Sequence, residues 1–318
     1  MELRKDYLLE RYVIIATQRS KRPRQFVQAE EKEETLNSTC FFCPGNEETT
    51  PPEISRREDE DGWYMRVVPN KFPAVTSGEK TELETHNKFF MFSEAVGFHE
   101  VLVETPEHSE QLWDFNEKRL SEVFEVYSER LIELKKRENV KYVSIFKNHG
   151  KKGGASIFHS HSQIIGYNLL PSEIEEREKA CQKYEGCPYC EIINVEKNSQ
   201  RAVFEDSNVV CFTPYASRFP FETWIMPKRH VLALYELESD EIKSFSKALL
   251  GVLNKLKELN APYNFYIRYG IRNMHLHMEV TPRLSNWAGF EFATGTVINS
   301  VSPEDGAHFF RERFRGGF

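Results

Sequence analysis

The sequence contains no apolar run of the about 20 residues that a membrane-spanning helix needs. Its start, Met1-Glu2-Leu3-Arg4-Lys5-Asp6, has no hydrophobic stretch of the kind a signal peptide carries, so a cytoplasmic protein without a membrane partner is expected. Positive charge is also short. With 42 Lys and Arg against 49 Asp and Glu, the net charge is −7, which argues against a nucleic-acid partner, since nucleic-acid binding usually needs a basic face. Six cysteines in 318 residues are too few for a disulfide scaffold. Four of them fall in Cys-x-x-Cys pairs, which reads as reduced thiols. Cys181 and Cys211 stand outside those pairs and are expected to be structural. The 40% of hydrophobic residues suffices for a substantial core, in one large domain or two of ordinary size.

What the chain does have, it has twice. Cys40-Phe-Phe-Cys43, His108 and His159-Ser-His161 recur in the same order as Cys187-Pro-Tyr-Cys190, His230 and His275-Leu-His277. Around them the same elements repeat. In the first half, Gly97 to Thr105 reads as a strand. Leu120, Val123, Phe124, Tyr127, Leu131 and Leu134 follow at helical spacing, with Asp114 and Glu117 placed like a capping box. Strands at Tyr142 to Asn148 and His159 to Ile165 flank a Gly-rich turn, Gly150 to Gly154. In the second half, a strand at Asn208 to Pro214 and the segment Glu222 to His230 precede a helix from about Ser239 to Leu259, and strands at Asn264 to Tyr269 and His275 to Pro282 close the unit. The plan is α+β, two mainly antiparallel sheets each with one long helix. The expected boundaries are 1–170 and 171–318, with an aromatic tail from Arg283 outside the repeat and a glutamate-rich solvated loop at 28–38.

A Cys-x-x-Cys pair holds two corners of a zinc tetrahedron, and two histidines from elsewhere complete it. Cys40, Cys43, His108 and His159 are assigned to one metal, and Cys187, Cys190, His230 and His275 to the other. Zinc in structural roles is expected, with iron the alternative, because four protein ligands leave no open position for water. A redox Cys-x-x-Cys would not account for the ordered histidines. On a strand, residues two apart share a face, which groups His159, His161 and Gln163, and likewise His275, His277 and Glu279.

These strand motifs resemble the histidine-triad superfamily, and the chain from about Arg11 to Arg313 resembles the galactose-1-phosphate uridylyltransferase family, which has ADP-glucose phosphorylase as a close relative. The resemblance rests on Arg19-Ser-Lys-Arg-Pro23, Val68-Pro-Asn-Lys-Phe72, Pro106-Glu-His-Ser109, Lys147-Asn-His-Gly150, Gly154-Ala-Ser156, His159-Ser-His-Ser-Gln163, Phe219-Pro-Phe-Glu-Thr223, Pro227-Lys-Arg-His230 and Gly289-Phe-Glu291. It implies duplicated histidine-triad-like domains and a nucleotidyltransferase of galactose metabolism. His161 would attack the α-phosphorus of a nucleoside diphosphate sugar such as UDP-glucose, and a sugar 1-phosphate would then take the nucleotide. Substrate contacts are implied for Arg19, Arg22, Asn70, Phe72, Asn148, Gly154, Ser156, Gln163, Phe290 and Glu291. A homodimer is implied too, in which C-terminal residues complete the partner's site. Gln163 cannot shuttle a proton at neutral pH, but its amide can donate to a phosphate oxygen, which favours an acceptor that brings its own phosphate. Glu279 at the matching place would repel phosphate, so one active strand is expected, in the first half. Ser160 between the histidines, and the complete second quartet, look closer to ADP-glucose phosphorylase, which transfers to inorganic phosphate. A zinc-stabilised binding module without activity is the reading from another class.

Overall fold

Runs rich in Val, Ile, Phe and Tyr, such as Tyr142–His149 and Tyr263–Arg268, form strands because such side chains pack well on a pleated surface. The computed structural model describes residues 1–21, 40–78, 82, 84–270 and 273–315. The glutamate-rich segment and Arg22 lie outside the described residues. Ten strands make one antiparallel sheet. From its outer edge inward, the first half runs Ser55–Asp59, Gly62–Pro69, Gly97–Val103, His161–Tyr167 and Tyr142–His149. The second half repeats that order with Ala202–Glu205, Val209–Phe212, Thr223–Pro227, His277–Pro282 and Tyr263–Arg268. The two innermost strands pair, with Tyr263 opposite His149 and Tyr266 opposite Phe146, which joins the half-sheets into one. The α+β class and the duplication are therefore both observed.

Helices Glu117–Lys135 and Ser239–Glu258 lie side by side, with Phe124 and Phe245 edge to face at 5.4 Å and Ser121 Oγ donating to Ser246 Oγ at 3.0 Å. The first helix buries Leu120, Val123, Phe124, Tyr127, Leu131 and Leu134 in the same core as Val143, Ile145 and Ile164. Its cap differs from the expected capping box. Asn116, extended and directly before the first turn, accepts from Arg119 N at 2.8 Å, while Asp114 ends a preceding short 3-10 turn.

Both histidine strands start two residues later than their sequence suggested, at His161 and His277. His159 and His275 precede the pleated region, which frees their rings to turn toward the cysteine pairs. Helices Ser172–Cys181 and Pro188–Glu196 carry Arg177 and Tyr189 onto the second histidine strand. The tail from Arg283 is folded into the body of the protein. Val297–Asn299 pairs in parallel with Tyr12–Ile15, and helix Pro303–Arg315 meets the second long helix through Lys255 and Glu312 at 3.2 Å.

Candidate active site and metal centres

In each half the cysteine turn and two histidines converge. The four ligand atoms of Cys40, Cys43, His108 and His159 lie within 4.8 Å of one another, as do those of Cys187, Cys190, His230 and His275. Tetrahedral zinc would place S and N about 3.6 Å apart. The separations are 3.3 Å for Cys43 Sγ to His108 Nδ1 and 3.6 Å for both Cys40 and Cys43 to His159 Nδ1. In the second set, Cys190 Sγ stands 3.5 Å from Nδ1 of both His230 and His275. The outer nitrogens are tied down as ligand histidines usually are: His159 Nε2 donates to the Thr105 carbonyl at 2.7 Å and His275 Nε2 to that of Pro227 at 2.9 Å, which leaves Nδ1 unprotonated. Burial and the adjacent Cys40 push the Cys43 thiol up to about 12, and burial with Cys187 does the same to Cys190. Thiolates at these places are costly without a cation, so both quartets fit a metal ion. The first quartet is buried throughout; in the second, His230 is exposed and both cysteines are half-buried.

His161 borders a cavity of about 490 Å³, which brings together five of the expected site residues: Asn70, Phe72, Ser156, His161 and Gln163. His161 Nδ1 donates to the His159 carbonyl at 2.8 Å, so the lone pair is on Nε2. Burial and then the nearby Lys147 ammonium lower its pKa, which keeps the ring neutral near pH 7. Phe42, the third residue of the cysteine turn, tilts against this ring at 5.3 Å.

Gln163 is oriented by a residue that the sequence reading missed. His99 Nδ1 accepts from Ala74 N at 3.1 Å, so its Nε2 carries the proton and donates to Gln163 Oε1 at 2.8 Å. Desolvation lowers the pKa of His99 and keeps it in this neutral form. With its oxygen engaged, Gln163 has its NH2 free to donate to an anion. The signal for His99 was present in the alternation His99, Val101, Val103 opposite the histidine strand, but reading it requires the pairing that sets His99 opposite Ile165.

Asn148 lies beside His161 around a smaller adjoining space, and its Oδ1 accepts from Asn264 at 2.8 Å. Gly154 has a left-handed backbone, with φ of 87°, that a side chain would strain. Arg19 sits half-buried on the turn Thr17–Lys21 and is not in the cavity lining. Phe290 and Glu291 are not in that lining either. They belong to the short helix Gly289–Thr294 on the second half, where Glu291 caps the helix by accepting from Ala288 N at 2.9 Å.

The second histidine strand is filled in. His277 makes the same Nδ1 bond, to the His275 carbonyl at 2.9 Å, but is wholly buried between Tyr189 and Trp224, with ring centroids at 5.0 and 5.1 Å. Its Nε2 faces Glu279 Oε1 at 3.4 Å. Arg177 at 3.1 Å, Arg218 at 2.6 Å and the Tyr266 hydroxyl at 2.8 Å surround that carboxylate and hold it well below the usual carboxylate range despite burial. A buried anion of the protein's own thus occupies this half.

The duplicated sheet thus carries two Cys2His2 quartets and one open His-x-His strand. The family model "Galactose-1-phosphate uridyl transferase, N-terminal domain" matches residues 1–171, and the chain belongs to that family. A domain model of unknown function, DUF4921, matches residues 108–313. ADP-glucose phosphorylase of Arabidopsis thaliana is 33% identical over 98% of this chain and 92% of its own. Galactose-1-phosphate uridylyltransferase of Thermotoga maritima is 31% identical over 98% of each. The crystal structure of an Arabidopsis thaliana ADP-glucose phosphorylase with bound ADP-glucose superposes with a TM-score of 0.81 at 32% identity, covering 98% of both chains. The protein is an enzyme of the nucleotidyltransferase type. Among the described residues, no helix is long and apolar enough to cross a membrane.

Proposed function

We propose that the protein exchanges a nucleotidyl group between a nucleoside diphosphate sugar and a phosphate-bearing acceptor, through a nucleotide bound covalently to His161. The observation that carries this is the tautomer of His161, whose Nδ1–H is held by the His159 carbonyl while Nε2 is the nucleophilic atom. Nε2 attacks the α-phosphorus, the bond to the bridging oxygen breaks, and sugar 1-phosphate leaves. The ring keeps its Nδ1 proton, and the positive charge it gains is stabilised by the His159 carbonyl. An oxygen of the acceptor phosphate then attacks the same phosphorus and the P–N bond breaks. Gln163 NH2, aimed by His99, donates to a phosphate oxygen. Asn148, Ser156 and the backbone around Gly154 line the phosphate path, with Asn70 and Phe72 toward the nucleoside. The two quartets hold structural zinc.

The first reading of the substrates is uridylyl transfer from UDP-glucose to galactose 1-phosphate, the activity named for the Thermotoga maritima relative. The second, adenylyl transfer from ADP-glucose to inorganic phosphate, is favoured by the 33% identity to the Arabidopsis phosphorylase. The exposed Phe290 and Phe292 on the short helix Gly289–Thr294 support a homodimer in which each tail serves the partner's site. Label from the α-phosphate of UDP-glucose or ADP-glucose should stay on the denatured protein, and galactose 1-phosphate or phosphate should discharge it. A protein that takes label from neither donor is not this enzyme.

A further inference from the structure

Two buried charges remain that the mechanism above does not use. Lys147 and Glu104, 1% and 0% exposed, pair at 2.6 Å on the helix-covered side of the His161 strand. Ser160 Oγ donates to Glu104 at 2.6 Å, and Lys147 Nζ reaches Ser160 Oγ at 3.0 Å. On the same side Tyr127 donates to Ser162 Oγ at 2.8 Å. Buried ion pairs are weak sources of stability, because desolvation offsets most of the attraction. The second half shows that the fold does not need one at this place. Aligned by strand pairing, Lys147, Glu104, Ser160 and Ser162 correspond to Ile267, Pro227, Leu276 and Met278, all buried and apolar.

The pairing also shows what differs. In the second half the ladder between the inner strand and the histidine strand runs on to Arg268 opposite His277. In the first it stops at Phe146 opposite Gln163, two residues short of His161. Beyond that point Lys147, Asn148 and His149 still pair with the strand of the other half. There Lys147 Nζ donates to the His161 carbonyl at 2.9 Å.

We propose that Lys147, charged and held by Glu104 and Ser160, is a positioning residue that anchors the main chain of His161 where the strands separate. A side-chain ammonium replaces the missing ladder contact and leaves room for substrate on the other side. This role rests on the nucleotidyl-transfer reading. Displacement of a nucleophile by an ångström can cost about 100-fold in rate, so loss of the anchor should act on the chemical step.

The test compares the unaltered protein with Lys147→Met/Glu104→Leu, which gives these positions the apolar character of the second half, and with Lys147→Arg, which keeps a cationic donor. The double variant should fold with both metals and a melting temperature no lower than wild type. It should bind donor with unchanged KM and nucleotidylate His161 about 100-fold more slowly. Lys147→Arg should recover much of that rate. Labelling of the double variant at the wild-type rate would overturn the proposal. So would its failure to fold or to hold metal, since the pair would then serve the fold. Absence of label on the unaltered protein would refute the transfer reading and this role with it.

Discussion

The two halves share strand order, metal quartets and the Nδ1 bond that fixes each histidine, yet they use their interiors in opposite ways. Around His277 the space is closed by Tyr189, Trp224 and a carboxylate held by three arginines, Arg177, Arg218 and Arg268. Around His161 that side is open, and the charged groups lie behind the strand, on Lys147 and Glu104. The comparison separates what the fold requires from what chemistry requires. The Cys2His2 quartet, its turn and the strand recur in both. Among the described residues, a cavity at the histidine strand, an amide in place of a carboxylate, and charge behind that strand occur only in the first.

The largest effect should come from exchanging the histidines for alanine. His161→Ala is expected to lose transfer by on the order of 10⁴-fold, whereas His277→Ala should keep its label and lose stability instead. Single-turnover capture of nucleotide, with a melting curve for each variant, checks both. The carboxylate comes next. Glu279→Ala removes the carboxylate shared by Arg177 and Arg218, leaving them only Glu173 and Glu222, and should destabilise the protein by about 3 kcal/mol, read from urea denaturation. Gln163→Ala should leave that transition in place and slow nucleotidyl transfer about 100-fold, by removing one donor. If the two variants behaved alike, the halves would not differ as argued.

Smaller effects sharpen the contrast between the metals. The second quartet is partly open to solvent, so a chelator should strip its metal first, about tenfold faster, in two resolved phases of metal release. Acid should weaken both halves. In the metal-free protein, burial depresses His159 to about 4 and His275 to about 3. Unfolded histidine titrates near 6.5, so the unfolded state binds more protons as pH falls. Stability present above about pH 6.5 should decline toward these folded values, by about 1 kcal/mol per histidine between pH 6.5 and 5.5. Denaturation at a series of pH values measures the slope, and a rise in stability on acidification would contradict it.

Local sequence carried much of this difference. The duplicated cysteine and histidine order identified both quartets, and Gln163 against Glu279 marked the asymmetry. Features set by neighbouring strands were not visible in one strand's sequence. His99 is meaningful only opposite the histidine strand, and Lys147 only because its ladder stops early. Arg177 and Tyr189 come from helices whose patterns were not read, although Pro188 at a first helical position is a start signal. The tail read as an appendage because its short strand, Val297–Asn299, takes its partner from the N-terminus.

The central claim is that one half reacts and the other only supports it. Peptide mapping of protein labelled with a nucleotide sugar and quenched before acceptor is added tests it most directly. One nucleotide per chain, on the peptide holding His161, is the predicted result. Label on the peptide holding His277, or two nucleotides per chain, would contradict it.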